Sequence, residues 1–358
     1  MAVAEGIGGI SISFTSGVAL AAVCGLEGRW TCASFLLMAV CAFAAVLSTR
    51  DNWPPGLYLL LFFSLGAFTY ASGSLLPCPG VSLFSRQMDS FCTLIDSLAF
   101  KDPDTGPLVK ALLTGRRESL SGALVQSFRD SGASHILALS GLHLGVIYGI
   151  LAKTLGVLGN SPLSRKIRAV CCVSFCTFYT VMTGAGPSIV RALLFICINE
   201  ASHLMPHRRK SASGVYCGAL LIQLVLNPRV ITSVGFQLSY LAMCGIFFIF
   251  PRLRSLYPDS ERKVLDRWFP AKWLWNGAAL SISCQLLTAP VVWIRFHSFP
   301  QYFLLTNLIA LPLSEGLIIG AVACTLLQAA GICPQQLCGI TAALARNLIF
   351  CLETISAM

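Results

Sequence analysis

Two serine–histidine pairs lie at the start of an apolar stretch of this sequence. Residues 131–147 read SGASHILALSGLHLGVI, with Ser134 next to His135 and Ser140 three residues before His143. An unsatisfied hydroxyl or imidazole is costly in hydrocarbon, so such groups face a protein interior, a partner or a water-filled path. On one continuous helix Ser140 and His143 would be neighbours, and His135 would share their broad face. We therefore predict that one side of this helix is wet or packed on polar groups.

A nucleophilic interpretation of the same residues has to be weighed. The sequence Ala138-Leu139-Ser140-Gly141 differs by one residue from the GxSG turn of intramembrane serine proteases, and a later span would have to supply the histidine. His297 is the candidate for that histidine, near the end of a span. Because Ala138 replaces the glycine and no third group is evident to orient a base, we favour a lining role for Ser140.

The composition is that of a polytopic membrane protein. The chain has 358 residues, of which 56% are hydrophobic and 11% charged, whereas soluble domains are about 25% charged. A helix needs about 20 apolar residues to cross about 30 Å of hydrocarbon. The sequence therefore predicts an all-α integral membrane protein with about ten to twelve transmembrane helices and an outward amphipathic segment.

The basic residues predict an orientation in the membrane. The net charge is +10, and an excess of Lys and Arg marks cytoplasmic loops. The loops at 160–168, 206–212 and 251–272 are the richest in Lys and Arg, and two spans separate each from the next. We predict that all three face the cytoplasm and that residues 77–131 lie outside.

Three regions follow from these patterns: a three-span region at 1–76, an extracytoplasmic amphipathic segment at 77–131, and a membrane core at 132–358. The amphipathic segment has two pieces. The second carries Arg116 and Arg117 at its central turn, and the first is predicted to be an interfacial helix. Its apolar residues at helical spacing are Phe84, Met88, Phe91, Ile95 and Leu98, against the charged Arg86, Asp89 and Asp96.

Most of the 16 cysteines fall inside apolar runs, where they act as small hydrophobes. No pair has zinc-ribbon spacing with a second half, so we predict no metal site and no cofactor. Cys78 and Cys92 lie in the long segment between spans. They are able to form a disulfide if that segment faces an oxidising compartment.

Polar side chains recur in three later motifs. These are TGAGPSIVRA at 183–192, GFQLSYLAMCGI at 235–246, and the stretch 287–313 with LTAP, RFHSFP and LTNLIALPL. Arg191 either snorkels to an interface or faces an internal cavity. Gln237 and Ser239 either bridge neighbouring helices or line a polar path. Asn307 is predicted to cap a broken helix ahead of Pro312, so that 300–314 and 317–330 form separate spans.

Together with ALLTGRRESLS at 111–121, these motifs resemble the membrane core of the ComEC-type competence proteins, in the same order and with similar spacing. Members of that family carry single-stranded DNA inward across the bacterial cytoplasmic membrane during natural transformation. The resemblance covers residues 108–320, and SHILALSGLHLG is its most specific part. It implies a multi-pass protein of the cytoplasmic (inner) membrane, working with a DNA receptor, a cytoplasmic motor and a nuclease. Whether the chain forms a homo-oligomer is left open.

Two departures from the family pattern shape the expectation. Members often carry an OB-like domain and a metallo-β-lactamase-like nuclease domain. Residues 77–110 are too short for the first, and no His-x-His-x-Asp-His motif marks the second. We therefore expect a channel rather than an enzyme. Either the chain is a truncated or minimal member of the family, or the missing parts come from other polypeptides.

Passage of a polyanion needs a wet path whose donors do not hold phosphates too tightly. We predict that Arg116 and Arg117 gather DNA outside, with anchoring to lipid headgroups as the alternative. The residues predicted to form the DNA path or its gate are Ser134, His135, Ser140, His143, Arg191, Gln237, Ser239, His297 and Asn307. An ion-coupled small-solute transporter is a second alternative. It would need acidic residues at midplane, whereas Glu200 and Glu315 are placed at span ends.

Overall fold

The computed structural model describes residues 2–48, 55–73, 84–159, 161–204, 211–257, 271–297 and 302–357. Within these ranges the regular structure is entirely helical, which confirms the predicted all-α class. The helices are α1 (Ala2–Val23), α2 (Arg29–Ser48), α3 (Pro55–Ser72), α4 (Ser85–Asp96), α5 (Thr105–Thr114), α6 (Gly122–Asp130), α7 (Ser134–Leu137), α8 (Gly141–Leu155), α9 (Pro162–Met182), α10 (Pro187–Leu204), α11 (Ala212–Leu226), α12 (Val234–Cys244), α13 (Phe250–Ser255), α14 (Ala271–Phe296), α15 (Phe303–Ala329) and α16 (Gln335–Ser356). Short 3₁₀ helices follow α8 and α11, and a π-helical turn, Gly245–Ile249, joins α12 to α13.

Five helical stretches in the described part are long and apolar enough to cross a membrane. They are Gly6–Val23, Val234–Ser255, Lys272–Phe296, Phe303–Ala329 and Gln335–Ser356. Shorter apolar helices run over Thr31–Ala44, Gly56–Ser72, Gly141–Leu155 and Ala212–Leu226. These lengths support a polytopic membrane protein, while the predicted count of ten to twelve spans is not confirmed.

One predicted pair of spans is a single helix. α15 runs for 27 residues with Pro312 inside it, so the predicted break between 314 and 317 is wrong. Asn307 does not cap a helix, because α15 already begins at Phe303. Proline removes one backbone donor and disfavours the preceding turn, but the apolar sequence on both sides gives the helix packing that holds it together. Glu315 therefore lies near the midpoint of α15 rather than at a span end.

The chain divides into two compact units. The first comprises residues 1–80 and 193–240, and α1 packs there against α3 and α11. Glycines make the crossing of α1 and α3 close: a Cβ on Gly17 would overlap the carbonyl of Phe63, and one on Gly66 would overlap the carbonyl of Phe14. Small residues that allow backbones to touch are typical of helix pairs in membranes. The buried core beside this crossing includes Phe14, Val18, Leu224, Phe236 and Tyr240.

The second unit comprises residues 81–192 and 241–358. Its centre is the helical hairpin of α15 and α16, against which α4, α5, α6 and α8 pack. Buried residues of this centre include Ile95, Leu108, Leu112, Phe128, Leu317 and Leu348. The predicted amphipathic pattern of α4 is confirmed, with Met88, Cys92 and Ile95 buried and Arg86, Asp89 and Asp96 exposed. The apolar face of α4 nevertheless packs on protein, so its predicted interfacial placement on lipid is corrected.

The predicted boundary near residue 76 lies outside the described residues, as do Cys78 and most of the basic loops at 206–212 and 251–272. The three-region division and the orientation in the membrane stay predictions. Cys92 is buried on α4 as a free thiol.

Candidate functional site

The motif with the two serine–histidine pairs is broken rather than continuous. α7 is a single turn, Ser134–Leu137, and Ala138 and Ser140 have extended backbone before α8 starts at Gly141. The expectation of one continuous helix through His135, Ser140 and His143 is therefore wrong. The cause is local capping: the Ser140 hydroxyl accepts a hydrogen bond from Leu142 N (3.3 Å), and Ser140 N donates to His143 Nδ1 (3.2 Å). A serine at the N-cap with a reciprocal side chain at the third helical position satisfies backbone donors that a helix start leaves free.

His143 is held in a defined chemical state. Its side chain is 1% exposed, and its Nδ1 accepts the Ser140 N–H, which leaves the proton on Nε2 of a neutral imidazole. That Nε2 has no hydrogen-bond partner within the described residues. An unpaired buried donor is costly and calls for a physical explanation. His143 thus closes the cap on one side and presents an unused N–H on the other.

Ser140 and His143 also have the separation of a nucleophile and a base. Ser140 Oγ lies 3.1 Å from His143 Nδ1. The same Nδ1 lone pair already receives the backbone N–H of Ser140, however, and no described side chain bonds Nε2 to orient the ring. An acyl-transfer site requires both a free base and a group that orients it. The arrangement is that of a helix cap.

Arg191 lies beside this cap. A Cβ on Gly141 would come within 3.4 Å of Arg191 Nη2 and 3.3 Å of the Ala192 Cβ, so the glycine leaves room for the start of α10 to pack on the start of α8. In the loop before α10, Ala185 has φ +50°, a left-handed conformation that is unfavourable for a residue other than glycine. A half-buried guanidinium thus stands at the positive end of the α8 dipole. The internal position of Arg191 stays a prediction.

Arg116 and Arg117 lie in the non-helical connection between α5 and α6, so the second amphipathic piece is two helices. Gly115 ends α5 in the left-handed conformation with φ +78°, which only glycine adopts freely. Arg116 pairs with Asp89 Oδ1 of α4 at 2.8 Å, and this bond raises the pKa of Arg116. Arg117 Nη2 donates to Leu137 O at the end of α7 (3.0 Å) while its side chain stays largely exposed. The two arginines therefore tie α4 and α7 together, next to the Ser140 cap.

The remaining predicted site residues are spread over several elements. Ser134 and His135 are exposed and bond locally to Phe128 O and Gly132 O. His297 follows α14 with φ +50°, and Asn307 on α15 has a buried Oδ1 without a described partner. Gln237 donates to Ile231 O within the first unit, to which Ser239 also belongs. Of the predicted set, the described contacts bring together Ser140, His143 and Arg191.

Two buried hydroxyls that the sequence did not indicate anchor this region. Tyr179 of α9 donates to Leu113 O (2.6 Å), and Thr306 of α15 donates to Ser131 O (2.8 Å). Neither stands out in an apolar run, because a single Tyr or Thr there is ordinary. A third feature was missed as well: the thiols of Cys324, Cys333 and Cys338 lie together at the turn between α15 and α16.

The segment from α4 to α6 contacts α15 near both of its ends, while α6 itself packs on α16. Ser97 accepts a hydrogen bond from Gln328 near the C-terminus of α15, and Ser131 O accepts one from Thr306 near its N-terminus. A helix of 27 residues is about 40 Å long. The outer face of the segment is polar and charged, with the ion pairs Lys110–Asp96 and Arg116–Asp89. Charged side chains beside a candidate span need water or polar partners around them.

Comparison with known proteins relates this chain to competence proteins. The family model described as "Competence protein" matches residues 112–358. The chain is similar to "ComE operon protein 3" of Bacillus subtilis (strain 168), with 28% identity over 226 residues, 63% of this chain and 27% of that protein. It is 31% identical over 212 residues to "Competence protein ComA" of Neisseria gonorrhoeae, 57% of this chain and 28% of that protein. "Uncharacterized protein YcaI" of Escherichia coli (strain K12) is 25% identical over 246 residues, 66% of this chain and 30% of that protein. The match thus spans less than a third of each relative, and no solved structure matches.

Proposed function

This chain belongs to the competence protein family, and from that premise we propose that it forms a channel through which single-stranded DNA passes inward across the bacterial cytoplasmic membrane. The observation that carries the proposal is the polar outer surface of α4 to α6, a segment that contacts α15 near both of its ends. A strand with one negative charge per nucleotide requires such a water-lined surface to cross hydrocarbon.

The charges on that surface suit passage rather than retention. Lys110 and Arg116 each face a carboxylate, at 2.6 Å and 2.8 Å. A phosphate that approaches either cation has to compete with Asp96 or Asp89, so each contact is weak and salt-sensitive. Many weak contacts let a polyanion advance, whereas a row of unpaired cations would hold it.

The cap of α8 is proposed as the gate of this path. Ser140, His143 and Arg191 meet where the chain is non-helical, and broken backbone at membrane depth is stable only where protein or water covers it. The buried His143 N–H and the guanidinium of Arg191 are both hydrogen-bond donors. Phosphate oxygens accept hydrogen bonds from groups of this kind. Ser134, His135, Gln237, Ser239, His297 and Asn307 are retained as further path residues, and Arg116 and Arg117 as the group that gathers DNA.

The wider assignment rests on the family. We propose that a DNA receptor, a cytoplasmic motor and a nuclease are separate partner proteins, and that the chain itself performs no chemistry on DNA. The bacterial cytoplasmic membrane is the proposed location. Since the match covers less than a third of each relative, these activities and partners are proposals for this chain.

Entry of labelled DNA tests the function directly. Cells that lack the chain should bind fluorescent double-stranded DNA at their surface but accumulate no label in the cytoplasm, and the wild-type gene should restore entry. A variant with Gly145→Ala serves as an expression-matched control, because nothing lies within 4 Å of a Cβ at that position. Normal entry of label in the deleted cells would contradict the proposal.

A second candidate function has one specific observation in its favour. Glu315 is exposed near the midpoint of α15, and an acidic residue at that depth is typical of ion-coupled transporters. Replacement by Gln separates the two functions. A transporter should lose ion-coupled uptake of its solute while DNA entry is unaffected, whereas a DNA channel with a lipid- or water-facing Glu315 should keep most DNA entry and gain or lose no solute flux.

A further inference from the structure

Three cysteine thiols converge at the turn between α15 and α16. Cys333 Sγ lies 3.5 Å from Cys338 Sγ, and Cys338 Sγ lies 4.0 Å from Cys324 Sγ. All three sulfur atoms lie within 4.8 Å of one another. Cys324 comes from the last part of α15, Cys333 from the turn and Cys338 from the first turn of α16. The three residues thus bridge both helices and the connection between them.

These separations match those of thiolates around a single metal ion. A Zn–S bond is about 2.3 Å long, so sulfurs that share one ion stand about 3.8 Å apart in a tetrahedral site and about 4.0 Å apart in a trigonal one. The observed 3.5 Å and 4.0 Å bracket both values. The third pair, Cys324 Sγ and Cys333 Sγ, lies within 4.8 Å, so the side chains need to close by no more than about 1 Å to share one ion.

The scaffold around the thiols is rigid. At the end of α15 Gly331 has φ +71°, and the backbone bonds Gly331 N to Gln328 O and Ile332 N to Leu327 O close the last turn. Pro334 is the N-cap residue of α16, and its carbonyl accepts the hydrogen bond from Cys338 N. The position of Cys333 is therefore fixed from both sides before any ion arrives.

The wall behind the thiols is close-packed. Thr341 Oγ1 lies 3.5 Å from Cys324 Sγ, and a Cβ on Gly320 would come within 2.7 Å of that same hydroxyl. Cys324 and Cys338 are buried, while Cys333 is only half-buried. The cluster is thus closed toward the protein and open at Cys333, which gives an ion a way in.

We propose that Cys324, Cys333 and Cys338 form a binding site for one thiophilic metal ion of the Cu⁺ or Zn²⁺ class. Soft thiolate ligands select these ions over Mg²⁺ or Ca²⁺. On binding, three S–metal bonds form and three thiol protons pass to solvent, with no change of oxidation state. Cu⁺ is satisfied by the three sulfurs, whereas Zn²⁺ takes a water or the Thr341 hydroxyl as its fourth ligand. The ion would fasten α15 to α16 at their turn.

Metal retention by the full-length chain tests the site. The chain is purified in detergent under reducing conditions, loaded with Zn²⁺ or with Cu⁺, dialysed against buffer, and its metal content is measured by mass spectrometry. We expect stoichiometric retention of one of the two ions and a higher thermal unfolding midpoint with that ion bound. The ion retained identifies the coordination, three sulfurs for Cu⁺ or a fourth ligand for Zn²⁺.

Matched variants separate this cluster from the other cysteines. Cys333→Ser changes only the half-buried turn residue and should reduce retained metal to background while the protein stays folded. A variant with Cys171, Cys197 and Cys351 replaced by Ser loses three thiols outside the cluster and should retain metal like the wild type. Equal retention by wild type and Cys333→Ser would overturn the site. Isolation of a Cys333–Cys338 disulfide from reducing cytoplasm would overturn it as well.

Discussion

At the scale of residues, Ser140 and His143 act first on the backbone, as the cap of α8. Ser140→Ala removes the acceptor for Leu142 N and should lower stability by about 1 kcal/mol. DNA entry should fall only in part, and Ser140→Asn, which keeps a capping oxygen, should restore most of it. Initial rates of DNA entry, normalised to protein in the membrane, measure the effect. Covalent labelling of Ser140 by a fluorophosphonate would instead identify a nucleophile.

Gly141 and Gly145 provide a second test on the same helix. Gly141→Ala places a methyl group 3.3–3.4 Å from Ala192 and Arg191, so α10 has to shift away from the start of α8. Gly145→Ala meets nothing within 4 Å and should stabilise α8 by up to about 1 kcal/mol. We expect a clear loss of DNA entry for Gly141→Ala and none for Gly145→Ala. Equal entry by the two variants would remove the packing of Arg191 on α8 from the gate.

The ion pair between Arg116 and Asp89 provides a third test, of whether the turn with Arg116 and Arg117 contacts DNA. Asp89→Asn releases Arg116 and should steepen the salt dependence of DNA uptake, with a log–log slope larger by about one unit. Replacing both Arg116 and Arg117 with Gln should flatten the slope by about one to two units. Uptake measured at several salt concentrations gives these slopes. If both variants keep the wild-type slope, the turn does not contact DNA.

At the scale of elements, the sequence predicted helices well and their ends poorly. The amphipathic pattern of α4 correctly assigned Met88 and Ile95 to a buried face. The break at Ser140 was missed because the apolar run continues through it, and a capping box with His143 in place of Glu carries a weak signal. At Pro312 the error was the reverse. The proline indicated a break, but α15 continues through it as one packed helix.

The sequence pattern also could not predict which helices contact each other. Periodicity shows that α4 has an apolar face but not whether lipid or protein covers it. The three thiols at the α15–α16 turn come together only because Gly331 and Pro334 fold the chain back tightly. The predicted absence of a metal site rested on zinc-ribbon spacing, which a helical hairpin does not need.

The crossing of α1 and α3 makes a prediction at this scale. Gly17→Ala inserts a Cβ that would overlap the Phe63 carbonyl, so the two helices have to separate. Gly8→Ala on the same helix meets nothing within 4 Å and is the control. We expect the Gly17 variant to be degraded faster and to unfold at lower temperature, and the Gly8 variant to behave like wild type. Wild-type stability of Gly17→Ala would show that α1 and α3 do not cross this closely.

At the scale of the whole molecule, the single helix α15 changes which side of the membrane its end is expected to face. The basic loops predict that residues 295–300 lie outside. One span later, the turn at 330–334 then falls on the cytoplasmic side, where thiols stay reduced. Ser97 contacts Gln328 beside this turn, whereas Ser131 contacts Thr306 at the other end of α15. The stretch at 97–131, predicted to lie outside, would therefore extend from the outer end of α15 toward the cytoplasm.

Single-cysteine labelling distinguishes this arrangement from a segment that lies wholly outside. On a cysteine-free background, we expect a bulky impermeant maleimide added to intact cells to label a cysteine at Asp130, which is exposed and adjacent to Ser131, the partner of Thr306 near the outer end of α15. Cysteines placed at Lys101 and at Ile332, which are exposed near the other end, should react only after the membrane is permeabilised. The reason is that about 40 Å of helix separates the two ends, more than the thickness of the hydrocarbon layer. Labelling of all three positions in intact cells would mean that α15 does not cross the membrane, and the path along it would have to be abandoned.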